Sequence, residues 1–401
     1  MMNSSETTDK HKNTKASGLL LKILFLLVIP LLILVVLYYM GTLSYPQKTI
    51  YRQYLTYPPD GSEEIVIVGI IMLVVYIVLL NIFLIAKLRG LKAVAVNLLV
   101  ILFFFGSLEF AIRNYSDRHY SQYQPDPELI WRLTPGGRNN SDGFRTQEVP
   151  KAKEQGEFRI IIAGDSSAYG LGIEDGNRFG NILETILQKK YPEKKIRVIN
   201  TACPGYTIFQ VERLARQKIY GMKPDCMIIS LNNDPNFDFE ADHNRVPPPS
   251  IAPVFGMLYK SKTYLLLRKN MINHQVKKLD THQSNTKPVR RLEDEEIKSL
   301  YGSIASHMKQ TGGSTIIAIM PNRPEVLKPA PENIPAFKKL QIEIAKQNGA
   351  VYIDFFDEWI TDRNPDDVFL PGDTVHPNDK GNRIIAEKLA EIIEKNSFIT
   401  Q

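Results

Sequence analysis

The chain has 401 residues, 44% of them hydrophobic and 23% charged, with a formal net charge of +6. That balance excludes a largely disordered chain and a protein that is membrane throughout. With only 2 cysteines it is neither a disulfide scaffold nor a zinc-cluster protein.

The first predicted elements are three long apolar runs, all before residue 113. Ile23 to Met40 and Ile65 to Ala86 carry no charge, and Ala93 to Leu108 runs into Glu109. A membrane-spanning helix needs about 20 apolar residues. The runs therefore predict three transmembrane helices within 18–112, over about 19–40, 65–86 and 91–112, with Glu109 near an interface. A cytoplasmic tail, 1–17, precedes them. A cleaved signal peptide fits the first run poorly, because YYMGTLSYPQ lacks a small-x-small site and the apolar core is too long. Lys10, Lys12 and Lys15 in the tail, and Lys87, Arg89 and Lys92 between the second and third runs, mark both segments as cytoplasmic. Three spans from an inside N-terminus put the loop from Gly41 to Glu64 and everything after residue 113 outside. The expectation is a multi-pass membrane protein with an extracytoplasmic domain. Residues 1–120 hold 11 Lys and Arg against 7 Asp and Glu. The remainder is nearly neutral and offers nothing to nucleic acid.

Residues 113–156 are polar and rich in Pro, Gly and Asn, and read as an extended linker that packs on the following domain, with Trp131 and Phe144 as pins. From 157 to 401 short β runs alternate with helices. Strands are predicted at 158–164, 196–200, 226–232, 314–320 and 350–356. Helices are predicted at 177–190, 208–220, 292–310, 334–347 and 379–395. Residues 234–262, with Pro235, Pro247, Pro248, Pro249 and Pro253, read as a long irregular insertion. The alternation predicts an α/β domain, a five-stranded parallel sheet with helices on both faces, whose ligands bind beyond the carboxyl ends of the strands.

The polar residues just after each strand are therefore the candidates. Gly164-Asp165-Ser166-Ser167 follows the first strand, Cys203-Pro204-Gly205 the second and Asn232-Asn233-Asp234 the third. Asp373-Thr374-Val375-His376-Pro377 precedes the last helix. A serine at a strand-to-loop turn, after a glycine that permits the turn, exposes its hydroxyl, and a histidine can take its proton near neutral pH. Asp373, three residues before His376, can orient the imidazole and stabilise its charged form, so Ser166, His376 and Asp373 are the candidate triad. The Ser166 N–H, the Gly205 N–H and the Asn233 amide are candidate oxyanion donors, with Asn232 as the alternative to Asn233. Each motif alone is commonly a turn or a cap. Their placement, each at its own strand end or just before the closing helix, is what points to catalysis.

In these four blocks, over roughly residues 157–396, the chain resembles the SGNH (GDSL-type) hydrolases. The blocks stand in the family's order at Gly164-Asp165-Ser166-Ser167, Gly205, Asn233-Asp234 and Asp373-Thr374-Val375-His376. The family usually has a glycine two residues before its asparagine, where this chain has Leu231. The resemblance implies a flavodoxin-like three-layer α/β/α domain with Asp165 as a structural member of the nucleophile block. The lead-in PDPELIWRLTPGGRNNSDGFR looks like that of membrane-anchored bacterial members. The expected function is a membrane-anchored, extracytoplasmic serine ester hydrolase working through an acyl-enzyme. Its partners would be the membrane and an ester-bearing small molecule, lipid or polysaccharide. One rival is an O-acyltransferase or acetyl-esterase modifying a cell-surface polysaccharide; another is an inactive binding or scaffold protein.

No histidine cluster has metal-ligand spacing, so no metal and no cofactor are expected. Cys203 and Cys226 could bridge in an oxidising compartment, but Cys226 reads as core. His243 reads as a surface residue. The stretch YKSKTYLLLRKN, 259–270, reads as docking on the domain rather than on a membrane.

Overall fold

The computed structural model describes residues 121–399 apart from 151, 235, 281–286, 324–335 and 356–363, together with residues 54, 95, 99, 102, 106–110 and 112–114. The chain divides into two compact units. One holds residues 122–246 and 285–401 with 48–54; the other holds residues 1–47, 55–121 and 247–284.

The first unit opens with an antiparallel pair, β1 (Tyr123–Asp126) and β2 (Ile130–Leu133), in which Tyr123 faces Leu133. Then comes β3 (Glu157–Gly164), where EFRIIIAG is buried at seven of eight positions. Its apolar stretch Ile160 to Gly164, buried at every position, marks a strand covered on both faces. The sheet continues with α1 (Phe179–Lys190), β4 (Lys195–Asn200), α2 (Ile208–Leu214) and β5 (Cys226–Ser230).

A long excursion follows, containing β6 (Phe237–Asp238), α3 (Ala252–Leu258), α4 (Lys262–Asp280) and β7 (Val289–Arg290). The chain then completes the unit with α5 (Asp294–Gln310), β8 (Ser314–Ile319), α6 (Ala336–Asn348), β9 (Val351–Asp354) and α7 (Asp379–Lys395). The five strands lie in the order β4-β3-β5-β8-β9, and every pairing is parallel. Helices α1 and α7 pack together, as do α2, α5 and α6. In α7 the buried positions Ile385, Ala386, Leu389, Ala390 and Ile393 form one apolar stripe. The strand order reverses between β3 and β5, and such switch points open a crevice at the carboxyl edge.

Two local readings change. The helix expected over 208–220 stays α-helical only to Leu214, passes through a π turn at 215–219, and ends at Lys223 with φ +53°. The insertion expected to be irregular is built. β6 pairs antiparallel with β7, and Asp242–Arg245 forms a 3-10 turn.

Residues 247–284 belong to the second unit, not to the sheet-bearing one. There α4, which the sequence reading missed, begins against a carboxylate far away in sequence. Glu109 accepts hydrogen bonds from the backbone N–H groups of Lys262 and Thr263 at 2.9 and 3.0 Å, and from the hydroxyls of Ser261 and Thr263 at 2.9 and 3.0 Å. Those amides are the donors a helix leaves open at its N-terminus. Leu266 is buried with Leu108 and Ile112. The stretch 259–270 thus docks on the end of the third apolar run. Among the described residues no helix is long and apolar enough to cross a membrane. The expected spans at 19–40, 65–86 and 91–112 lie outside the described residues except at the positions named above.

Candidate active site

β3 ends at Gly164, whose φ is not positive. The glycine is there for space. A Cβ at this position would collide with the Ser230 carbonyl oxygen of β5 and would lie 2.8 Å from the Ala168 Cβ. Asp165 then caps a single helical turn, Ser166–Tyr169, with its Oδ1 accepting the Ser167 N–H at 3.0 Å. Its Oδ2 accepts the Asn232 N–H at 2.7 Å and the Asn233 Nδ2 at 3.1 Å. Asp165 is 1% exposed, and burial pushes its pKa up despite these donors. It ties the loop after β3 to the loop after β5 and makes no bond to the imidazole. Ser166 stands at the first position of the turn, where its own N–H has no helical carbonyl to reach.

The segment before α7 folds back on itself. Asp373 Oδ1 accepts the N–H groups of Val375 and His376 at 2.7 and 2.9 Å, and Oδ2 lies 2.7 Å from His376 Nδ1. Burial opposes ionisation of Asp373, but the Val375 and His376 amides and the imidazole outweigh it and hold the carboxyl below its usual range. On the other side of the ring, His376 Nε2 lies 2.8 Å from Ser166 Oγ. Ser167 Oγ donates to the Val375 carbonyl at 3.3 Å, a second link between the two segments. Beyond Pro377, the Asn378 side chain accepts the Gly381 N–H and starts α7. The structure therefore joins Ser166, His376 and Asp373 in one hydrogen-bonded chain, across 210 residues of sequence separation between serine and histidine.

Gly205 lies in the turn after β4 with φ +79°, a conformation that favours glycine. The Cys203 N–H donates to the Gly164 carbonyl at 3.0 Å, which holds this turn beside the nucleophile block. Asn233 is oriented from both ends of its amide. Nδ2 donates to Asp165, and Oδ1 accepts from Asn236 Nδ2 at 2.8 Å. One hydrogen of that Nδ2 serves Asp165, and a second is available to a ligand. The end of the Asn232 amide faces the Leu231 and Met320 carbonyls, 3.3 and 3.2 Å away, which only its nitrogen can satisfy. Leu231, at the family's glycine position, is 1% exposed and belongs to the core. Asp234 is fully buried against the Ile208 N–H at 2.6 Å and the Tyr301 hydroxyl at 3.2 Å, and burial pushes its pKa up to about 7.

Sequence reasoning missed two buried arginines that brace these loops. Arg145 donates to the carbonyls of Gly170 and Ile173, each at 2.7 Å, in the loop after the nucleophile turn. Arg291 donates to the Gly205 carbonyl at 2.7 Å. The only available signal was an arginine inside a Gly- and Asn-rich stretch or beside an insertion, which usually means surface. Cys203 and Cys226 are both free and buried, and burial pushes both thiols up. His243, half exposed, lies 3.4 Å from Glu296. Among the described residues no group of His, Cys, Asp and Glu could hold a metal ion.

A hydroxyl, an imidazole and a carboxylate linked in that order beside a parallel-sheet crevice are the means by which serine hydrolases activate a nucleophile, and this chain is a serine ester hydrolase. Residues 162–384, more than half the chain, match the GDSL-like lipase/acylhydrolase family, and the chain belongs to it. Solved structures similar to it include LAE5, an α/β hydrolase from the metagenome of Lake Arreo, Spain. It is 16% identical over 61% of this chain and 97% of that one, with a TM-score of 0.39. A catalytic mutant of an acetylxylan esterase from Geobacillus stearothermophilus is 16% identical over 58% of this chain and 93% of that one, with a TM-score of 0.38. Both likenesses are distant. A search of curated proteins gave no match.

Proposed function

We propose that Ser166 Oγ attacks the carbonyl carbon of an acyl or acetyl ester while His376 Nε2 takes its proton. The tetrahedral oxyanion is held by the N–H groups of Ser166 and Gly205 and by Asn233 Nδ2. Collapse expels the alcohol, which receives its proton from His376 and leaves an acyl-enzyme. Water, deprotonated by the same imidazole, then releases the acid and restores Ser166. Asp373 holds the ring with Nδ1 protonated and stabilises the imidazolium. The observation that carries this reading is the unbroken chain Ser166 Oγ, His376 Nε2, His376 Nδ1 and Asp373 Oδ2, with contacts of 2.8 and 2.7 Å.

The enzyme works from a membrane anchor formed by the three apolar runs, on the extracytoplasmic side. Its ester is borne by a small molecule, a lipid or a surface polysaccharide. Two observations support the placement. The bases of the tail and of the 87–92 connector fit a cytoplasmic side. Tyr54, between the first two runs, packs with ring centroids 4.4 Å from Tyr123 and 5.2 Å from Trp131, which supports a shared side for Tyr54 and the residues it packs on.

The test is hydrolysis of short- and long-chain p-nitrophenyl esters by the full chain, with Ser166→Ala alongside. We expect turnover that falls ~10³-fold or more in the variant. No turnover, with Ser166 also inert to a fluorophosphonate, would sink the mechanism and favour a binding protein. Labelling of Ser166 without turnover would indicate a transferase that needs its acceptor.

A further inference from the structure

The Pro204–Gly205 peptide carries the N–H that the mechanism above uses on the oxyanion, and its other end is held by a residue from outside the catalytic blocks. Trp131, in β2, donates its indole Nε1–H to the Pro204 carbonyl at 3.0 Å. The Tyr206 hydroxyl returns a bond to the Trp131 carbonyl at 2.9 Å. The three residues 204–206 are thus locked to β2 by reciprocal bonds on either side of Gly205. Trp131 is 0% exposed and Tyr206 1%, so no water competes for these groups. In a trans peptide the C=O and N–H point in opposite directions. A donor on the Pro204 oxygen therefore fixes the direction of the Gly205 N–H and polarises it.

The next peptide is held as firmly. Arg291 donates to the Gly205 carbonyl at 2.7 Å, and Asp242 grips the same guanidinium with two bonds of 3.0 Å. Asp242 also accepts the Thr207 hydroxyl at 2.7 Å, and its own N–H donates to the Arg291 carbonyl at 3.0 Å. The guanidinium carbon of Arg291 lies 5.6 Å from the Trp131 ring centre. The turn, with Gly205 at φ +79°, is closed by the Tyr206 N–H on the Cys203 carbonyl at 3.2 Å, and the Trp131 and Arg291 bonds set the direction of the two peptide planes that flank Gly205 within it. An oxyanion donor is useful only if it is already aimed before charge develops.

From this geometry we infer that Trp131 is a positioning residue for catalysis, aiming the Gly205 N–H at the oxyanion through its indole hydrogen bond to Pro204, with Arg291 and Asp242 fixing the adjoining peptide. The inference rests on Gly205 being an oxyanion donor. It gives the stretch before the first catalytic block a part in the reaction that neither packing nor a linker role requires.

The experiment compares the full chain with Trp131→Phe, which keeps an aromatic ring and removes the donor. Hydrolysis of a short-chain p-nitrophenyl ester is followed together with binding of a trifluoromethyl ketone that mimics the tetrahedral oxyanion. The expected result is a kcat lower by about tenfold or more, KM within about twofold, and ketone affinity reduced by the same factor as kcat/KM. If Trp131→Phe fails to fold, benzothienylalanine at 131 keeps the indole shape without the N–H and should show the same split. An unchanged kcat in the folded variant, or losses in KM and melting temperature with no selective loss of ketone affinity, would overturn the inference. Asn233→Ala separates this from failure of the underlying reading. A fall in kcat there with none at 131 leaves the oxyanion assignment standing and removes Trp131 from it. No fall at either position rejects the assignment and the inference together.

Discussion

Asp373 shows how much chemistry three residues of spacing can hold. One carboxylate oxygen closes a turn on the Val375 and His376 amides, which frees the other to face Nδ1 of the same histidine. Because those donors keep Asp373 below the usual carboxylate range, it is ionised throughout the neutral region. Asp373→Asn should preserve the fold yet reduce kcat by ~10²–10⁴-fold, since an amide favours the wrong tautomer of the ring. Steady-state kinetics beside a circular dichroism melt will check it, and a near-normal kcat would remove Asp373 from its role. Gly164 is equally exacting for a different reason. Gly164→Ala would drive a Cβ into the Ser230 carbonyl oxygen, so a loss of at least ~2 kcal/mol in urea unfolding is expected. The sequence suggested a glycine for the turn. The contact that demands it lies on β5 and has no trace in the local sequence.

At the level of elements, the loops after β3 and β5 share a pair of buried carboxylates, Asp165 and Asp234. Burial raises both, Asp234 to about 7. A carboxyl whose folded pKa lies above its unfolded value binds its proton more tightly in the native state. Its contribution to stability is fully present below about pH 4 and is lost as pH rises through about 7. Asp234→Asn cannot ionise. Relative to the parent, it should therefore gain stability between about pH 5 and pH 8, on the order of 1–3 kcal/mol. Urea midpoints at the two pH values decide this, and a difference that stays flat would mean that Asp234 ionises normally. Helix α4 teaches the same lesson about distance. Its apolar residues crowd the first turns, and the carboxylate that caps it is Glu109, 153 residues from Lys262. A cap so remote cannot be recognised from neighbours, which is why a 19-residue helix looked like a short apolar stripe with basic flanks.

At the scale of the whole molecule, the outward placement proposed for the catalytic unit is open to a direct check. Cysteines introduced by Arg216→Cys and by Lys12→Cys should differ in intact cells. The first, from an exposed side chain, should react with a membrane-impermeant maleimide and the second only after lysis. Reaction of both before lysis, or of Lys12→Cys alone, would overturn the orientation. The native cysteines are buried and should not obscure the result.

What the sequence by itself determined is whatever short-range pattern encodes. Apolar stretches such as IIIAG, Ile160 to Gly164, mark strands covered on both faces, the alternation with helices sets a parallel sheet, and α7 spans the predicted 379–395. Because ligands in such sheets gather at strand ends, Ser166, Gly205, Asn233 and His376 could be singled out before any contact was known. Only the tertiary structure decided which groups meet. It turned the amides of Asn233 and Asn232 in different directions, brought Arg291 and Trp131 onto the Gly205 turn, and assigned residues 247–284 to the other unit. The physical reason is range. Backbone preference and apolar periodicity act over a few residues, whereas a hydrogen bond that aims a peptide can be supplied from anywhere in the chain that packing brings within about 3 Å.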